Sequence, residues 1–493
     1  MSADESSLWE KEYVVEKHPL RWWALAVAVL AVLVDMIDNQ IVAVALPTIQ
    51  RELGTGDSAL QWISAGYALG FALTLITGGR LGDRYGTKKL FLAGMVVFTG
   101  ASLAAGLAGH VEVLIAARVI QGVGSGLMVP QVLSFIHAEF DEKERPKAMT
   151  YYAGAFPIGG LAGPLLGGVL TQADLFGIGW RAIFLINLPI GVLALIGALV
   201  TMPSRPGFFR HRMDFSGLLL LTAGLFAIFY PLVQGRELGW PKWSIYLMVA
   251  AIPLLAIFAL HQRIKAKRGG EPLVPPALLK YRSLSGGQAV MLCINTAVGV
   301  FFILTLHLQL GLGFSPLEAA LTFAPSTIGI VVGNVLGMQL APKLGRAFTA
   351  GAIVVLLASL VAIAVLVQQL GHDLNVWALL APVIGFGLGM GAVLNSLFGV
   401  SMSEIQMQQA GAASGLVNTT VQLGTATGIA LFGTVFFSRL GSGFESATVS
   451  AIAVSVGVLV LALLFTTLLP GKKQGAGQAA AAADEHKAGA SAR

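Results

Sequence analysis

The sequence predicts an all-α integral membrane protein with 14 transmembrane helices, arranged as two pseudo-symmetric six-helix bundles plus an inserted helix pair. Three observations support this fold class: an apolar composition, a series of membrane-length apolar stretches, and a repetition within the chain. Of the 493 residues, 56% are hydrophobic and 11% are charged, whereas soluble domains carry about 25% charged residues. The composition excludes a soluble enzyme, a disordered chain and, with Cys293 as the single cysteine, a disulfide scaffold.

Fourteen stretches of the chain are long enough to span a membrane, since a helix needs about 20 mainly apolar residues to cross the hydrocarbon core. Numbered along the chain as helices 1 to 14, they are 22–46, 58–78, 89–109, 112–135, 148–171, 181–202, 215–234, 243–261, 287–310, 318–341, 348–369, 375–398, 413–437 and 448–469. The predicted organisation is an N-terminal tail (1–21), a first six-helix bundle (22–202), cytoplasmic loops with the inserted pair (203–286), a second six-helix bundle (287–469) and a disordered tail of low complexity (470–493).

The basic residues predict the orientation of the chain in the membrane. Fourteen crossings put both termini on one side, and 25 of the 31 Lys and Arg residues fall on that side. Because cytoplasmic loops carry the excess of Lys and Arg, we expect a multi-pass protein of the cytoplasmic membrane with both termini in the cytoplasm. The same asymmetry accounts for the net charge of +6, so the charge is no argument for nucleic-acid binding.

Two sequence patterns recur at equivalent places in the two bundles. The segment LGDRYGT (Leu81 to Thr87) between helices 2 and 3 has an echo in LAPKLGR (Leu340 to Arg346) between helices 10 and 11. The glycines of helix 4 are matched in helix 12; they are Gly122, Gly124 and Gly126, and Gly387, Gly389 and Gly391. Internal symmetry of this kind is typical of alternating-access transporters, whose substrate site lies between the two halves.

Charged residues within the spans are the first functional candidates, because each costs roughly 2.5–3.5 kcal/mol on insertion scales. Asp35 and Asp38 are three apart in helix 1, so their side chains share nearly one face. Two carboxylates this close in poorly solvated surroundings cannot both ionise cheaply, and they titrate as a pair. Arg118 in helix 4 is the only basic residue within a span, and it stays charged. These three residues predict a proton switch.

Seven stretches of the chain carry a family resemblance. They are DNQIVAVALP (Asp38 to Pro47), GGRLGDRYGTKK (Gly78 to Lys89), ARVIQGVGSG (Ala117 to Gly126), GGLAGPLLGG (Gly159 to Gly168), WRAIFLINLPIG (Trp180 to Gly191), EPLVPPALL (Glu271 to Leu279) and GLVNTTVQLGTATG (Gly415 to Gly428). Together they resemble the motifs of the major facilitator superfamily and, more narrowly, of its fourteen-helix drug:proton antiporter family, the multidrug efflux type. The resemblance covers residues 22–469. Three positions depart from the usual residues: Gln40, Ala43 and Thr87.

The resemblance implies how the charged residues act. Asp38 matches the acidic family position in helix 1 and is expected to be the main proton-coupling carboxylate. The stretch that contains Arg118 resembles the proton-coupling motif of helix 4. Asp35 is expected to be a relay or a contact for cationic substrates, with an inactive residue in a wet vestibule as the alternative.

The resemblance also implies two moving parts. The helix 5 stretch resembles the antiporter motif of exporters, and its small residues and proline are expected to form a pivot; they are Gly159, Gly163, Pro164, Gly167 and Gly168. The loop between helices 2 and 3 resembles the superfamily's signature loop and is expected to form a cytoplasmic gate; its residues are Gly79, Asp83, Arg84, Gly86, Lys88 and Lys89. Ordinary helix packing and a plain surface charge cluster are the alternatives.

Polar residues within the spans are candidates for lining a substrate cavity, with helix-to-helix hydrogen bonds as the equally weighted alternative. They are Asn39, Gln40, Gln131, Asn295, His307, Gln309, Asn334, Asn395, Asn418 and Gln422. His307 is also a minor candidate for the proton path, because imidazole titrates near pH 6.5.

The predicted function is that of a proton-coupled antiporter exporting amphipathic small molecules, such as drugs, dyes and antibiotics, that are neutral or cationic. The alternatives are a dedicated exporter of one endogenous metabolite and, less favoured, a proton-coupled importer. The chain lacks a GxxxxGK[ST] phosphate-binding loop, so the proton gradient rather than ATP is the expected energy source. We expect no cofactor or metal, no nucleic-acid partner and a monomer. The pair His137 and Asp141 in the helix 4–5 loop is not expected to form an enzyme site.

Overall fold

A computed structural model describes residues 18–141, 143–173, 177–205, 214–405 and 410–470, and within these ranges the regular structure is helical. The helices of the first half, 1 to 6, are Arg21–Leu53, Asp57–Tyr85, Thr87–Gly106, Val111–Glu139, Arg145–Ala173 and Gly179–Thr201. The inserted pair, helices 7 and 8, comprises Phe215–Gln234 and Lys242–Lys267. The helices of the second half, 9 to 14, are Arg282–Gly311, Pro316–Leu344, Arg346–Leu370, Val376–Met402, Ala410–Arg439 and Phe444–Phe465.

The predicted fold class is confirmed. Thirteen of the described helices are long and apolar enough to cross a membrane, and helix 2 makes fourteen when it is counted as one span despite a 45° bend between Leu75 and Thr77. Helices 6, 9 and 10 are also interrupted within their spans. The interruption in helix 10 falls at Pro325, which follows the outer segment Pro316–Phe323 and has no backbone N–H to donate.

Several helices extend beyond the predicted apolar stretches. Helix 1 continues to Leu53 and ends where Gly54 adopts a left-handed conformation, with φ of 59° and a backbone hydrogen bond to Gln50. Helix 2 continues to Tyr85 and ends at Gly86. The backbone hydrogen bonds of these helices therefore persist into polar sequence, which a hydropathy criterion counts as loop.

Close glycine contacts hold helix 2 against helix 4 and, equivalently, helix 10 against helix 12. A Cβ atom added at Gly78 would collide with the carbonyl oxygen of Gly126, and one added at Gly391 would collide with that of Ile330. Small residues let membrane helices approach in this way, because packing rather than hydrophobic exclusion drives their association in lipid. The matched glycine patterns of the sequence thus correspond to the same helix pairing in both halves.

The two faces of the molecule are defined here by the chain ends. The terminal face carries the first and last described residues, His18 and Pro470, and the distal face lies at the opposite ends of the helices. Helix 2 packs against helix 13 and helix 5 against helix 10, so these two pairs join the halves. Helix 7 of the inserted pair lies beside helices 2 and 13.

Candidate functional site

Asp38 lies at the centre of a buried polar cluster within the first half. Its side chain has no exposed surface, and its Oδ2 atom accepts a hydrogen bond from Arg118 Nη1 at 2.5 Å. Its Oδ1 atom accepts hydrogen bonds from Gln121 Nε2 at 2.8 Å and from Asn187 Nδ2 at 2.7 Å. The carboxylate thus joins helix 1 to helices 4 and 6. Burying an ion pair is costly unless further hydrogen bonds complete it, as they do here.

Arg118 is equally well satisfied. Its guanidinium donates to Asp38, to Gln121 Oε1 at 2.7 Å and to the carbonyl oxygen of Ile63 at 3.2 Å. The guanidinium carbon lies 4.3 Å from the centre of the Tyr67 ring, in a cation–π arrangement. The predicted pairing of helix 1 with the helix 4 arginine is therefore present in the structure, and it lies inside one six-helix bundle.

Asp35 occupies a second buried site, next to the first. The hydroxyl of Tyr67 donates a hydrogen bond to Asp35 Oδ1 and lies 2.9 Å from Ser125 Oγ. Asp35 Oδ2 has no hydrogen-bond partner among the described residues. Asp35 has no exposed surface, so in this conformation it touches neither a wet vestibule nor a substrate. Tyr67 contacts both sites, through its hydroxyl at Asp35 and its ring at Arg118.

Sequence reasoning missed most partners of the two carboxylates. Gln121 and Asn187 lie within stretches noted for their family resemblance but carried no assigned role. Ser125 lies in the same stretch as Gln121 and likewise carried no assigned role, and Tyr67 gave no signal beyond being a polar residue in an apolar helix. An unusual density of polar residues across helices 1, 2, 4 and 6 was the available clue.

The small residues of helix 5 pack against helix 1. A Cβ added at Gly163 would lie 2.7 Å from Gln40 Cβ, and one at Gly167 would lie 2.8 Å from the carbonyl oxygen of Ile41. Gly159 faces Met36 in the same way. These contacts use the face of helix 1 that does not carry Asp35 and Asp38. Helix 5 runs unbroken through Pro164, and the role of this stripe as a pivot stays a prediction.

The next glycine of helix 5 reaches the other half. A Cβ added at Gly168 would lie 2.7 Å from Leu317 Cα at the distal start of helix 10. On the second interface, a Cβ added at Gly433 of helix 13 would lie 2.6 Å from Gln61 Cδ of helix 2. We call these two contacts, Gly168 with Leu317 and Gln61 with Gly433, the distal seam. Gln309 adds a bond between the halves by donating to the carbonyl oxygen of Val44 at 2.9 Å.

Glycines of helices 5 and 13 nearer the terminal face meet open space. A Cβ added at Gly154 or at Gly415 would have no heavy atom within 4 Å. The halves therefore approach each other closely at the distal face and not at these positions. The described conformation has a closed distal seam.

The predicted gate residues lie at the terminal ends of helices 2 and 3. Lys88 donates to the carbonyl oxygens of Leu199 at 2.8 Å and Met202 at 2.7 Å, so it satisfies the end of helix 6. Gly86, with φ of 96°, provides the turn between helices 2 and 3. Asp83, Arg84 and Lys89 are exposed, and Gly79 approaches helix 4. The Lys88 contacts stay within the first half, and the role of these residues as a cytoplasmic gate stays a prediction.

Two predicted cavity residues lie inside a bundle instead. Gln131 of helix 4 is fully buried, and its side chain packs against Gly82 of helix 2. From there it donates to the carbonyl oxygen of Gly78 at 2.8 Å. His307 is fully buried in the second half, beside a cavity of about 10 Å³. A single water needs about 10–15 Å³, so this cavity cannot hold an organic substrate.

The remaining predicted cavity residues differ in their hydrogen bonds, packing and exposure. Asn295 and Asn418 donate to carbonyl oxygens of their own helices, at Met291 and Ser414 respectively. Asn395 packs against Gly337 between helices 10 and 12. Those that keep exposed or partly exposed surface are Asn39, Gln40, Asn334, Asn395 and Asn418, whereas Gln422 is buried.

Comparison with known proteins identifies the class. The sequence matches the profile of the Major Facilitator Superfamily over residues 28–429, and the chain belongs to this family. It is 42% identical over 424 residues to the probable actinorhodin transporter of Streptomyces coelicolor, covering 86% of this chain and 73% of that protein. It is 32% identical over 431 residues to the tetracenomycin C resistance and export protein of Streptomyces glaucescens, covering 86% and 77% respectively.

A solved structure shares the fold. The crystal structure of the D-xylose-proton symporter matches with a TM-score of 0.64 at 17% identity, over 92% of this chain and 98% of that one. Together with the helical spans, the family assignment makes the protein a multi-pass membrane transporter of small molecules and not an enzyme.

Proposed function

We propose that this protein is a proton-coupled antiporter that exports amphipathic small molecules across the cytoplasmic membrane by alternating access. The observation that carries the proposal is the buried cluster of Asp38, Arg118, Gln121 and Asn187. Asp38 has no exposed surface and Arg118 has 1%, so the pair is held together without help from water.

A proton that neutralises Asp38 changes the balance of this cluster. Removing one charge of a buried ion pair leaves the other uncompensated, at a cost of about 3–5 kcal/mol. Arg118 then loses its counter-charge and keeps neutral partners, among them the oxygens of Gln121 and Ile63 and the ring of Tyr67. Asp38 of helix 1 and Asn187 of helix 6 meet in this cluster. Its weakening therefore destabilises the present arrangement of the two helices. The protonation state is thereby converted into a preference for one conformation.

Two features support export by alternating access. The halves repeat the same helix pairing, and they close on each other at the distal seam. The helix 5 motif is the one that exporters of the family carry. We propose that the terminal face is the cytoplasmic one, because the sequence assigns 25 of the 31 Lys and Arg residues to the side of the termini, so the described conformation is open towards the cytoplasm. We also propose that the protein works as a monomer.

The proposed cargo is neutral or cationic. Asp35 and Asp38 against Arg118 leave one formal negative charge among these three residues when both carboxylates are ionised. The second candidate function is a dedicated exporter of one endogenous metabolite; the names of the two relatives refer to actinorhodin and to tetracenomycin C. The two candidates differ in breadth of cargo and share the proton mechanism.

The experiment uses inverted membrane vesicles and a panel of neutral, cationic and anionic amphipathic dyes and antibiotics that includes these two compounds. Parent vesicles should release or take up protons as each cargo moves, and Asp38→Asn should reduce this exchange at least tenfold at an unchanged protein level. The matched control is Asp373→Asn, which alters an exposed carboxylate and should leave exchange unaffected. Exchange in Asp38→Asn at the parental rate refutes the coupling, and one accepted compound rather than many selects the dedicated exporter.

A further inference from the structure

The inserted pair, helices 7 and 8, is fastened to helix 2 at the terminal face. Arg80 of helix 2 donates to the carbonyl oxygen of Leu273, at 3.3 Å, in the segment that follows helix 8. That segment is in turn bound to the pair, because Leu273 N donates to Asp214 Oδ2 at 3.1 Å and Val274 N donates to Gln262 Oε1 at 3.0 Å. One end of helix 2 is therefore connected to both inserted helices.

The pair is fastened to helix 2 at the distal face as well. Glu237, in the turn between helices 7 and 8, accepts hydrogen bonds from Ser58 N at 2.8 Å and from Ser58 Oγ at 2.6 Å. These bonds satisfy a free backbone donor at the start of helix 2, where a carboxylate is favoured. The neighbouring Arg236 donates to Asp57 Oδ2 at 2.5 Å. With attachments at both of its ends, helix 2 and the inserted pair form one unit.

The hydrogen bonds from the pair to helix 13 lie at the distal face. Arg236 Nη1 donates to the carbonyl oxygen of Phe437 at 3.0 Å, while its other terminal nitrogen holds Asp57. One turn away, Thr434 Oγ1 lies 2.6 Å from the carbonyl oxygen of Leu232 and 2.7 Å from that of Ala430 in its own helix, and its single proton is shared between the two. Arg236 thus spans the gap between helix 2 of the first half and helix 13 of the second half, next to the contact of Gln61 with Gly433.

We propose that the inserted helix pair acts as a clasp on the distal seam, and that Arg236 is its gating residue. The inference rests on the proposed function, since a clasp has a role only if the halves separate at the distal face during transport. Helix 13 must then leave helix 2, and the pair stays with helix 2 through Arg80 and Glu237. The bonds that break are those of Arg236 with Phe437 and of Thr434 with Leu232. Their presence favours the closed seam.

The test measures how often the seam opens. Gln61, which is 2% exposed, is changed to Cys in a Cys293→Ser background, and the protein is placed in lipid nanodiscs with no cargo or proton gradient. The rate at which a hydrophilic maleimide labels the new cysteine reports opening. Arg236→Ala should raise this rate several-fold over the parent. The matched control is Arg439→Ala, which removes an exposed basic residue near the same end of helix 13 and should leave the rate unchanged.

A second variant guards against general loosening of the fold. Thr434→Val removes the bond to Leu232 and leaves Arg236 in place, so it should raise labelling less than Arg236→Ala, and both variants should keep the parental elution profile in size-exclusion chromatography. Equal labelling of the parent and Arg236→Ala overturns the clasp. Labelling needs no cargo, so the two proposals are tested separately. If Arg236→Ala does not raise labelling while proton exchange is intact, the clasp alone is refuted. Raised labelling alongside proton exchange that survives Asp38→Asn refutes the coupling alone.

Discussion

A carboxylate buried away from water needs donors that replace the hydrogen bonds it has lost, and two residues of this chain illustrate how. Asp38 has one guanidinium and two amides. Asp214 lies at the start of helix 7, and its side chain is fully buried. It accepts hydrogen bonds at 2.8–3.1 Å from five donors: Gly217 N, His261 Nε2, Gln262 Nε2, Lys265 Nζ and Leu273 N. Burial alone raises the pKa of Asp214, but bonds from Lys265, His261 and Gln262 outweigh burial and hold the pKa well below its ordinary value of 3.8.

The first prediction concerns the charge of Asp214. Asp214→Asn should lower the thermal stability near neutral pH, because it weakens charge-assisted hydrogen bonds that contribute about 1.5–3 kcal/mol. A carboxyl whose pKa is depressed on folding contributes its full stabilisation above its ordinary pKa and loses it progressively as the pH falls from that value towards the lower pKa of the folded state. The Tm difference from the parent should therefore be largest at pH 7 and begin to shrink below about pH 4. Tryptophan fluorescence during heating measures it.

The control for this prediction is Asp373→Asn, which changes an exposed carboxylate and should leave the Tm within error at each pH. A penalty for Asp214→Asn that stays constant from pH 7 to pH 3 contradicts the assignment of the effect to the charge.

At this scale the sequence identified the charged residues and missed their neutral partners. Asp38 and Arg118 stand out because charge is rare in apolar spans. Asn187 is 149 residues from Asp38, and no local pattern indicates that their side chains meet. Asp214 lay outside every predicted span and carried no expectation. The contacts that set the state of a buried charge come from distant parts of the chain, and tertiary packing decides them.

At the scale of the elements, helix 1 depends on the absence of side chains on helix 5. Gly163 brings the two backbones so close that a Cβ there would lie 3.0 Å from the carbonyl oxygen of Ile37 and 2.7 Å from Gln40 Cβ. Gly160, on another face of the same helix, has no heavy atom within 4 Å of such a Cβ. The helix thus offers a tight glycine and an open one within a single turn.

The second prediction follows from this pair. Gly163→Ala should force helices 1 and 5 apart, reduce the stability by about 1–3 kcal/mol as overpacking does, and lower the initial rate of cargo movement in vesicles. Gly160→Ala adds the same methyl group and the same gain in helix propensity without a contact, so it should keep the rate and keep or raise the Tm. Identical behaviour of the two variants would show that close packing at Gly163 has no bearing on transport.

Hydropathy located every helix but not the helix ends or breaks. The apolar stretch of helix 1 ends at residue 46, yet the helix runs to Leu53 because the backbone hydrogen bonds continue until Gly54. The break at Pro325 in helix 10 was not predicted either, although proline is its direct cause. The end of a helix is set by its last backbone hydrogen bond, whereas the end of an apolar stretch is set by the change to polar residues. The two need not coincide.

At the scale of the whole molecule, the proposed alternating access requires the distal seam to open and close. The third prediction joins the seam covalently: Gln61→Cys with Gly433→Cys in a Cys293→Ser background. A Cβ at Gly433 would lie 2.9 Å from Gln61 Cγ, which suits the Cβ separation of about 3.5–4.5 Å in a disulfide. Mild oxidation should form the bond and stop cargo movement, and a reductant should restore it.

The control pair for the cross-link is Gly154→Cys with Gly415→Cys, since both positions meet open space. Oxidation should leave this pair unlinked and its transport unchanged. Transport that continues in the fully cross-linked Gln61 and Gly433 variant contradicts the requirement that the distal seam opens.

The repeated halves were readable from the sequence, whereas the conformational state was not. Matched glycines in helices 4 and 12 indicate the same packing twice, and the structure has it. Which face is closed depends on contacts such as Gly168 with Leu317, and one sequence must be compatible with the seam both closed and open. Gln131 and His307 lie inside the bundles in this conformation, and Gln131 makes the helix-to-helix hydrogen bond that was the alternative to lining a cavity. Polarity alone does not distinguish a bundle interior from the space between the halves.

Helix 1 presents its acidic side chains to helices 2, 4 and 6 and its opposite side to helix 5. Under the proposed function, the carboxylate atoms that bind the proton are therefore enclosed in one bundle, apart from a compound bound between the halves. Proton and compound then occupy different atoms, and the exchange between them is transmitted by movement of helix 1, which lies between the two sites.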